Sequence, residues 1–502
     1  MSTNAMLLSF LFALLTLSVA LYASLELRML LGYWRMKADS QGSADSDTDT
    51  SGHQPALPRS EPPTVSVLLP IYNEGATVLP LLQAVAEFDY PHERMDIQVL
   101  DDSTDETPAI VAAEIERLRR EGIPISHVRR NSRKGWKAGA LDHALEDSSA
   151  EFVAIFDADF VPPPQFLRRA LLESDSFNDP QVAFVQGRWT YINEDQNLLT
   201  RTQAILLDRH FVVQKPYLTA NHGTTVFNGS GGVWRRAAID AAGGWSSDTL
   251  CEDLDLSYRC ALNGWIGVYD AMLDVPNEIP SNIFAFKLQQ RRWAKGSAQC
   301  MRKLALNVIK SKTLQHRSDD LYVLMGYTIH PFVLLYALLL PFVITSGVPL
   351  SMIWAGNTIQ FIANAIAIAG FITTAVNSHR NLSLKSVGNV LLATYLGISL
   401  MVNNTIAFVG GCYEKFSVFE RTPKAKNLAG SQSLLGSVVH WGIFMEVAFT
   451  VYMFVAAGIL IGAGHGFLAM PCVLLGAGML LALVYQLLLA LPQLVSVRAS
   501  EA

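Results

Sequence analysis

From residue 321 to residue 379 the chain carries no Asp, Glu, Lys or Arg. At 1.5 Å of rise per residue, a run of that length crosses a roughly 30 Å hydrocarbon core twice. The Ser-Gly-Val-Pro turn signal at 346–349 divides it into two helices of a hairpin. A chain built in this way folds partly in lipid. The composition agrees: half of the 502 residues are hydrophobic and 16% are charged, against about 25% in soluble domains.

Other apolar runs extend the membrane part. Residues 2–25 are uncharged, and residues 1–10 hold no Lys or Arg, so residues 1–36 read as a retained anchor rather than a cleaved signal peptide. Arg28, Arg35 and Lys37 follow that span, which by the positive-inside rule puts what comes next in the cytoplasm. The uncharged stretch 386–413 has basic flanks on both sides, Arg380 and Lys385 before it and Lys415, Arg421, Lys424 and Lys426 after. Both flanks are then expected on one face, with the stretch lying in the interface or re-entering. Residues 436–497 form a last hairpin around Gly462–Gly466, with Glu446 as its single charge. No inverted repeat of the transporter kind is evident.

Residues 37–63 are rich in Ser, Asp, Gly and Pro and are expected to be a disordered tether. Residues 64–280 alternate short β-rich runs with helical patterns: 65–70, 97–100, 125–128, 152–156 and 182–185. That alternation implies an α/β domain on a mainly parallel, doubly wound sheet. Residues 281–320 read as interfacial amphipathic helix, basic on one side, and residues 321–502 as the helical membrane region, with a cytoplasmic loop at 415–426. The formal charge of −6 argues against a nucleic-acid partner. The five cysteines lack C-x-x-C spacing, so neither a zinc site nor a disulfide framework is expected.

Doubly wound sheets bind ligands beyond the carboxyl ends of their strands, and four polar clusters fall there: Tyr72, Asn73 and Glu74; Asp101 and Asp102; Arg129 and Arg130; Asp157 and Asp159. A lone Asp pair is more often a turn or a helix cap. Four converging clusters favour a site. Asp157-Ala158-Asp159 sets two carboxylates to share a hard cation, Mg or Mn, with phosphate oxygens. No P-loop and no G-x-G-x-x-G offers another phosphate cradle. Asp253, at the start of a helical pattern, is the candidate base for an acceptor hydroxyl. Within 282–304, Gln289, Arg292 and Trp293 exceed what an interfacial anchor needs: an indole suits a sugar face and a guanidinium suits phosphate.

In order and spacing, Asp101-Asp102, Asp157-Ala158-Asp159, Cys251-Glu252-Asp253 and Gln289-Gln290-Arg291-Arg292-Trp293 resemble the D, D-x-D, T-E-D and Q-x-x-R-W series of the membrane-embedded family 2 glycosyltransferases. That family includes the cellulose, mannan and hyaluronan synthases. The resemblance covers about residues 64–426 and implies a GT-A domain, inverting and processive transfer of a β-linked sugar, and export of the glycan through the membrane helices. It assigns Tyr72, Glu74, Asp101 or Asp102 and Lys137 to the nucleotide, and Asp157 and Asp159 to diphosphate and metal. Asp253, with Glu252 beside it, goes to catalysis, and Gln289, Arg292 and Trp293 to acceptor and diphosphate. Phe419, Thr422 and Lys424 fall in a gating loop. Cys251 stands where the family has Thr, and no second-messenger-binding domain follows the last span. The segments 135–141, 227–236 and 289–293 look most like the plant mannan and glucomannan synthase branch.

The resemblance implies a UDP-glucose or GDP-mannose donor, a β-glycan acceptor and contact with membrane lipid. An integral protein with a cytoplasmic catalytic domain is expected, in a bacterial inner membrane or, in a eukaryote, the Golgi. Two other readings remain open: single-sugar transfer to a lipid acceptor, and a transporter or scaffold with a nucleotide-binding domain, for which Glu446, Asn403 and Asn404 are the pertinent residues.

Overall fold

The computed structural model describes residues 2–44, 61–221, 224–378, 384–414 and 432–500. After helix α1 (Thr3–Ala44), the α/β unit runs β1 (Val65–Ile71), α2 (Leu79–Ala86), β2 (Met95–Asp101), α3 (Thr107–Arg120), β3 (Ile125–Val128), α4 (Trp136–Glu146), β4 (Phe152–Ile155), β5 (Val182–Tyr191), α5 (Leu198–Asp208), β6 (Gly232–Arg235), α6 (Glu252–Leu262) and β7 (Ile266–Asn277). The seven strands lie in the order β3-β2-β1-β4-β6-β5-β7, with β6 alone antiparallel to its neighbours. The sheet is mainly parallel, as the alternation of strands and helices implies.

Alternation along β1 shows why both faces need cover. Val65, Val67, Leu69 and Ile71 pack with α2 and α3 through Leu81, Val85, Val111 and Ile115, while Leu68 points the other way, to Ala138 and Leu141 of α4. Successive strand side chains face opposite sides. Chain order reverses at β1, which has β2 on one side and β4 on the other. A reversal of this kind opens a crevice at the strand ends.

Four of the five expected strands keep their positions to within two residues at either end. The fifth, expected to stop at 185, continues to Tyr191 across a register shift at Gly187/Arg188, and β6 and β7 go beyond the expected set.

Then come α7 (Ile283–Lys310), α8 (Ile329–Thr345), α9 (Leu350–Asn377), α10 (Leu384–Tyr413), α11 (Gln432–Gly462) and α12 (Met470–Ser500). Among the described residues, six helices are long and apolar enough to cross a membrane, within 3–40, 326–345, 350–377, 388–413, 442–462 and 470–488. Two expectations change. The tether was expected to begin at residue 37, yet α1 stays helical to Ala44, because it runs parallel to α9: Phe12 fills the space at Gly356, Trp34 Nε1 donates to Thr373 Oγ1 at 3.2 Å, and Lys37 donates to Asn377. The stretch 386–413 does not re-enter, since α10 is one unbroken helix.

The neighbours of α10 fix its course. Leu400 packs on Ile283 and Phe286, Asn403 Nδ2 donates to the Lys287 carbonyl at 3.1 Å, a Cβ on Gly411 would meet Lys295 O at 2.4 Å, and Arg302 Nη1 donates to Cys412 O at 3.1 Å. The second half of α10 therefore runs alongside α7 in the same direction. α7 carries Lys287, Arg291, Arg292, Lys295, Arg302 and Lys303, and a helix so charged does not cross a bilayer. This half of α10 is therefore packed beside a heavily charged helix, although the composition of 388–413 would let it span.

On this packing Ser378 and Glu414 are expected on the face that exposes the α/β domain. With Cys412 replaced by Ser, Ser378→Cys and Glu414→Cys should both react with a membrane-impermeant maleimide from the face that exposes the α/β domain. Labelling of Glu414→Cys from the other face alone would mean that α10 crosses.

Candidate active site

Beyond the ends of β1 and β4 the chain encloses a cavity of about 820 Å³ that continues between the membrane helices. Tyr72, Glu74, Asp102, Lys137, Asp157, Asp159, Glu252, Asp253, Gln289, Arg292 and Trp293 all line it. Fold and sequence distance thus bring eleven of the fifteen expected site residues to one hollow. Phe419, Thr422 and Lys424 lie outside the described residues.

Asp101 is the correction. Its carboxylate is buried away from the cavity, where Oδ2 lies 2.9 Å from His127 Nε2 and Oδ1 accepts from Ser103 N at 2.8 Å. Burial opposes its charge, but His127 and Ser103 outweigh that and hold the carboxyl below its ordinary value. Asp101 shapes the turn, and its neighbour Asp102 is on the wall. Asp102 is gripped by Arg130, whose Nε donates to Oδ1 at 3.0 Å and whose Nη2 donates to Oδ2. Arg130 also donates to the Lys134 and Trp136 carbonyls, at 3.1 Å each. That staple holds a turn in which Gly135 takes φ +76° and a Cβ on Gly139 would meet Lys134 O at 2.2 Å. Its neighbour Arg133 stacks on the Tyr72 ring, 3.3 Å from the centroid.

The turn starts α4 and delivers Lys137 to the centre of the site. Its ammonium donates to Asp157 Oδ1 at 2.6 Å and to Gly229 O at 3.0 Å, and stands 3.7 Å from Glu252 Oε1. Burial would lower its pKa, yet Asp157, Glu252 and Asp253 around it prevail and raise it. The ammonium stays charged. Asp253 has the opposite history: burial and the charge of Glu252 push its carboxyl up to about 7, while Lys137 pulls it down. Both acids sit in the first turn of α6, where the helix end favours negative charge. The other acid of that turn, Asp255, is occupied by Arg259 and Lys303, at 2.7 Å each.

The segment 226–231 joins these groups. Gly229 takes φ +78°, and a Cβ there would stand 3.2 Å from Asp253 Oδ2. Asp157 N donates to Ser230 Oγ at 2.9 Å, Phe227 N donates to Ser257 Oγ at 2.9 Å, and Ser257 Oγ donates to Asp253 O at 2.7 Å. Behind it, fully buried Lys215 donates to the Val226 carbonyl, and burial brings its pKa down to about 7. His210, held neutral by burial at about 4, bonds Gln214 and Asn228.

Sequence reasoning missed Lys215, His210 and Asn228. It also missed the part played by α1, whose Tyr22 and Glu26 line the cavity. Glu26 pairs with Arg209 and accepts from Tyr322. The signal for it was a single carboxylate directly after the apolar run.

A soft or closed metal site does not fit: among the described residues no three His, Cys, Asp or Glu side chains gather to hold a metal. Asp157 and Asp159 offer two hard oxygen donors on the cavity wall, and Asp157 is 36% exposed in its side chain. That set suits Mg or Mn, which takes its remaining oxygens from water and phosphate.

On the opposite wall, Gly296 lets α7 approach the turn before α6. A Cβ there would fall 2.3 Å from Cys251 Sγ and 2.9 Å from Cys251 N. This contact seats α7, which carries Arg292, against the turn that leads into Asp253.

Residues 152–374 match the family model described as Glycosyl transferase family group 2. The chain is 40% identical over 285 residues to a protein of Oryza sativa subsp. japonica named probable glucomannan 4-beta-mannosyltransferase 7, covering 56% of this chain and 47% of that one. It is 42% identical over 257 residues to glucomannan 4-beta-mannosyltransferase 2 of Arabidopsis thaliana, covering 50% and 48%. It thus spans about half the length of the curated relatives it matches. A solved structure, the mannosyltransferase PcManGT from Pyrobaculum calidifontis in complex with GDP-Man and Mn2+, is similar at 20% identity and a TM-score of 0.48, over 82% of this chain and 100% of that one. The match to a glycosyltransferase family model and the apolar helices agree with what the motif series implied.

Two predictions follow from the charges and the close packing. If Asp253 acts as a base it works deprotonated, so sugar transfer should fall as pH drops through about 7. Lys137→Met removes the cation that favours the carboxylate, so the midpoint of that acid limb, read from kcat/KM against pH, should move up; a midpoint that stays or moves down contradicts the arrangement. Gly296→Ala should cost about 1–3 kcal/mol by overpacking, seen as earlier thermal loss of the monodisperse protein, with weakened transfer in what remains folded.

Proposed function

We propose that the protein transfers a hexose from a nucleoside-diphosphate sugar to the end of a growing β-glycan, with inversion, and passes the product along the cavity between its membrane helices. One observation carries this reading: Lys137, Asp157 and Asp253 face a single cavity whose wall continues to Tyr22, His330, Gln360 and Asn364 on the apolar helices.

The chemistry follows from the side chains. Asp253 takes the proton of the acceptor hydroxyl as that oxygen attacks the anomeric carbon from the face opposite the diphosphate. The carbon–oxygen bond to the diphosphate breaks, and Lys137 and Arg292 meet the negative charge that develops on it. Glu252 sets the proton affinity of Asp253 by its charge. Trp293 offers a flat apolar face to a sugar ring and Gln289 an amide to its hydroxyls. A divalent cation held by Asp157 and Asp159 would add further neutralisation of the diphosphate. Tyr72, Glu74 and Asp102 sit where the nucleoside belongs.

The plant relatives, named as glucomannan mannosyltransferases, favour GDP-mannose over UDP-glucose as the donor and a mannan or glucomannan as the product. They give the bacterial inner membrane no support. The catalytic domain faces the cytosol in this reading.

The test is a donor screen. Purified full-length chain in lipid nanodiscs, given labelled GDP-mannose with Mg or Mn, should yield a long β-linked product digestible by a β-mannanase. Chelation should abolish the yield, and UDP-glucose alone should give much less. A product of one sugar on a lipid would replace the processive reading, and solute flux without sugar turnover would replace the enzymatic one.

A further inference from the structure

Glu446 is the only charged residue between Lys426 and Arg498. It is 1% exposed, in the middle of α11, a helix otherwise suited to lipid. A carboxylate at that depth is costly, so its partners show what it does. Lys287 Nζ donates to both its oxygens, at 2.7 and 2.6 Å, and Gln486 Nε2 of α12 donates to Oε2 at 3.3 Å. Lys287 belongs to α7, the helix that carries Gln289, Arg292 and Trp293.

At about 100° per residue, Lys287 falls roughly on the far side of α7 from Gln289. It does not line the cavity, and neither does Glu446. The pair touches no substrate. Asn403 of α10 donates to the Lys287 carbonyl at 3.1 Å and to Asn404 Oδ1 at 3.0 Å. Asn404 Nδ2 in turn lies 3.1 Å from Nε2 of His330, which is on the cavity wall. Helices α7, α8, α10, α11 and α12 thus meet through one chain of buried polar contacts.

Apolar contacts allow a helix to slide and turn by small steps, because they have no direction. A two-oxygen ion pair in a medium of low dielectric has both direction and strength. Lys287 stands half a turn from Gln289 and less than two turns from Trp293, so whatever fixes Lys287 also fixes the height and rotation of the side chains that face Asp253.

We propose that the Lys287–Glu446 pair is a positioning device for the acceptor subsite, through which the C-terminal membrane hairpin sets where Gln289 and Trp293 stand. The assignment of Gln289 and Trp293 to an acceptor rests on the function proposed above; the mechanical claim about α7 does not.

A lone buried charge can unfold the chain, so the informative variant is Lys287→Met with Glu446→Gln, which leaves none. It is compared in full-length chain in nanodiscs with wild type and with the charge swap Lys287→Glu with Glu446→Lys. GDP-mannose is the donor and β-1,4-mannohexaose the acceptor. In the neutral variant, KM for the acceptor should rise about tenfold, since an ångström of misplacement can cost about a hundredfold, while KM for the donor stays within about twofold of wild type and the swap recovers most of the loss. An unchanged acceptor KM, or donor and acceptor constants that shift together, overturns the proposal. Hydrogen exchange on the same three proteins reads the clamp without catalysis: amides of 283–293 should exchange faster in the neutral variant, those of β1 to β4 should not, and the swap should restore protection. If wild type transfers no sugar, the glycosyltransferase reading falls, and exchange alone decides the clamp; unchanged protection over 283–293 then sinks it.

Discussion

The site is organised around one buried ammonium. Lys137 stands within 3.7 Å of Asp157 and Glu252, and a Cβ on Gly229 would touch it and Asp253 alike. Three carboxylates crowded into a partly dry cavity would repel one another, and their shared cation makes the cluster tolerable. Burial and Glu252 push the Asp253 carboxyl up to about 7, against the pull of the Leu254 N–H and of this same cation. A group with that proton affinity can accept a proton from a hydroxyl and release it to water between turnovers. The turn stapled by Arg130 exists to bring this one side chain in, which is why so much local geometry, from Gly135 to Gly139, is spent on it.

A second dependence links the α/β domain and the apolar helices. The segment 226–231 touches Lys137, Asp157 and Asp253 on one side and Lys215 and His210 on the other. Arg209, next to His210, reaches Glu26 of α1 and fills the space at Gly370 of α9. The groups of the candidate site are therefore continuous with the helices that enclose the far end of the cavity, and α1 is part of that wall.

Much of this was legible because strands β1 to β4 end in polar clusters, and a doubly wound sheet gathers strand ends. What was hidden depends on side-chain direction and on contacts distant in sequence. Adjacent strand residues face opposite sides, so only one of Asp101 and Asp102 can meet the crevice, and nothing in the sequence says that His127 claims Asp101. Strand β7 carries Asp270, Asp274 and Pro276, which break the apolar alternation, and β5 continues past Gln186 because its pairing shifts register at Gly187 instead of stopping. The basic flanks of α10 gave no hint of its unbroken course along α7, which comes from packing with residues more than a hundred positions away. Lys287 looked like one more cation of an interfacial helix until Glu446 was found opposite it.

The central claim is that donor binding and base catalysis are separate duties of side chains facing one cavity. Replacing Asp253 by Asn keeps its shape and removes its proton affinity. Equilibrium binding of GDP-mannose and the rate of sugar transfer, measured on the same purified variant, therefore test the claim most directly. The account predicts a donor Kd within about threefold of wild type and a transfer rate lower by about 10²- to 10⁴-fold. Transfer at the wild-type rate would contradict it, and loss of donor binding in step with activity would show that the two duties are not separate.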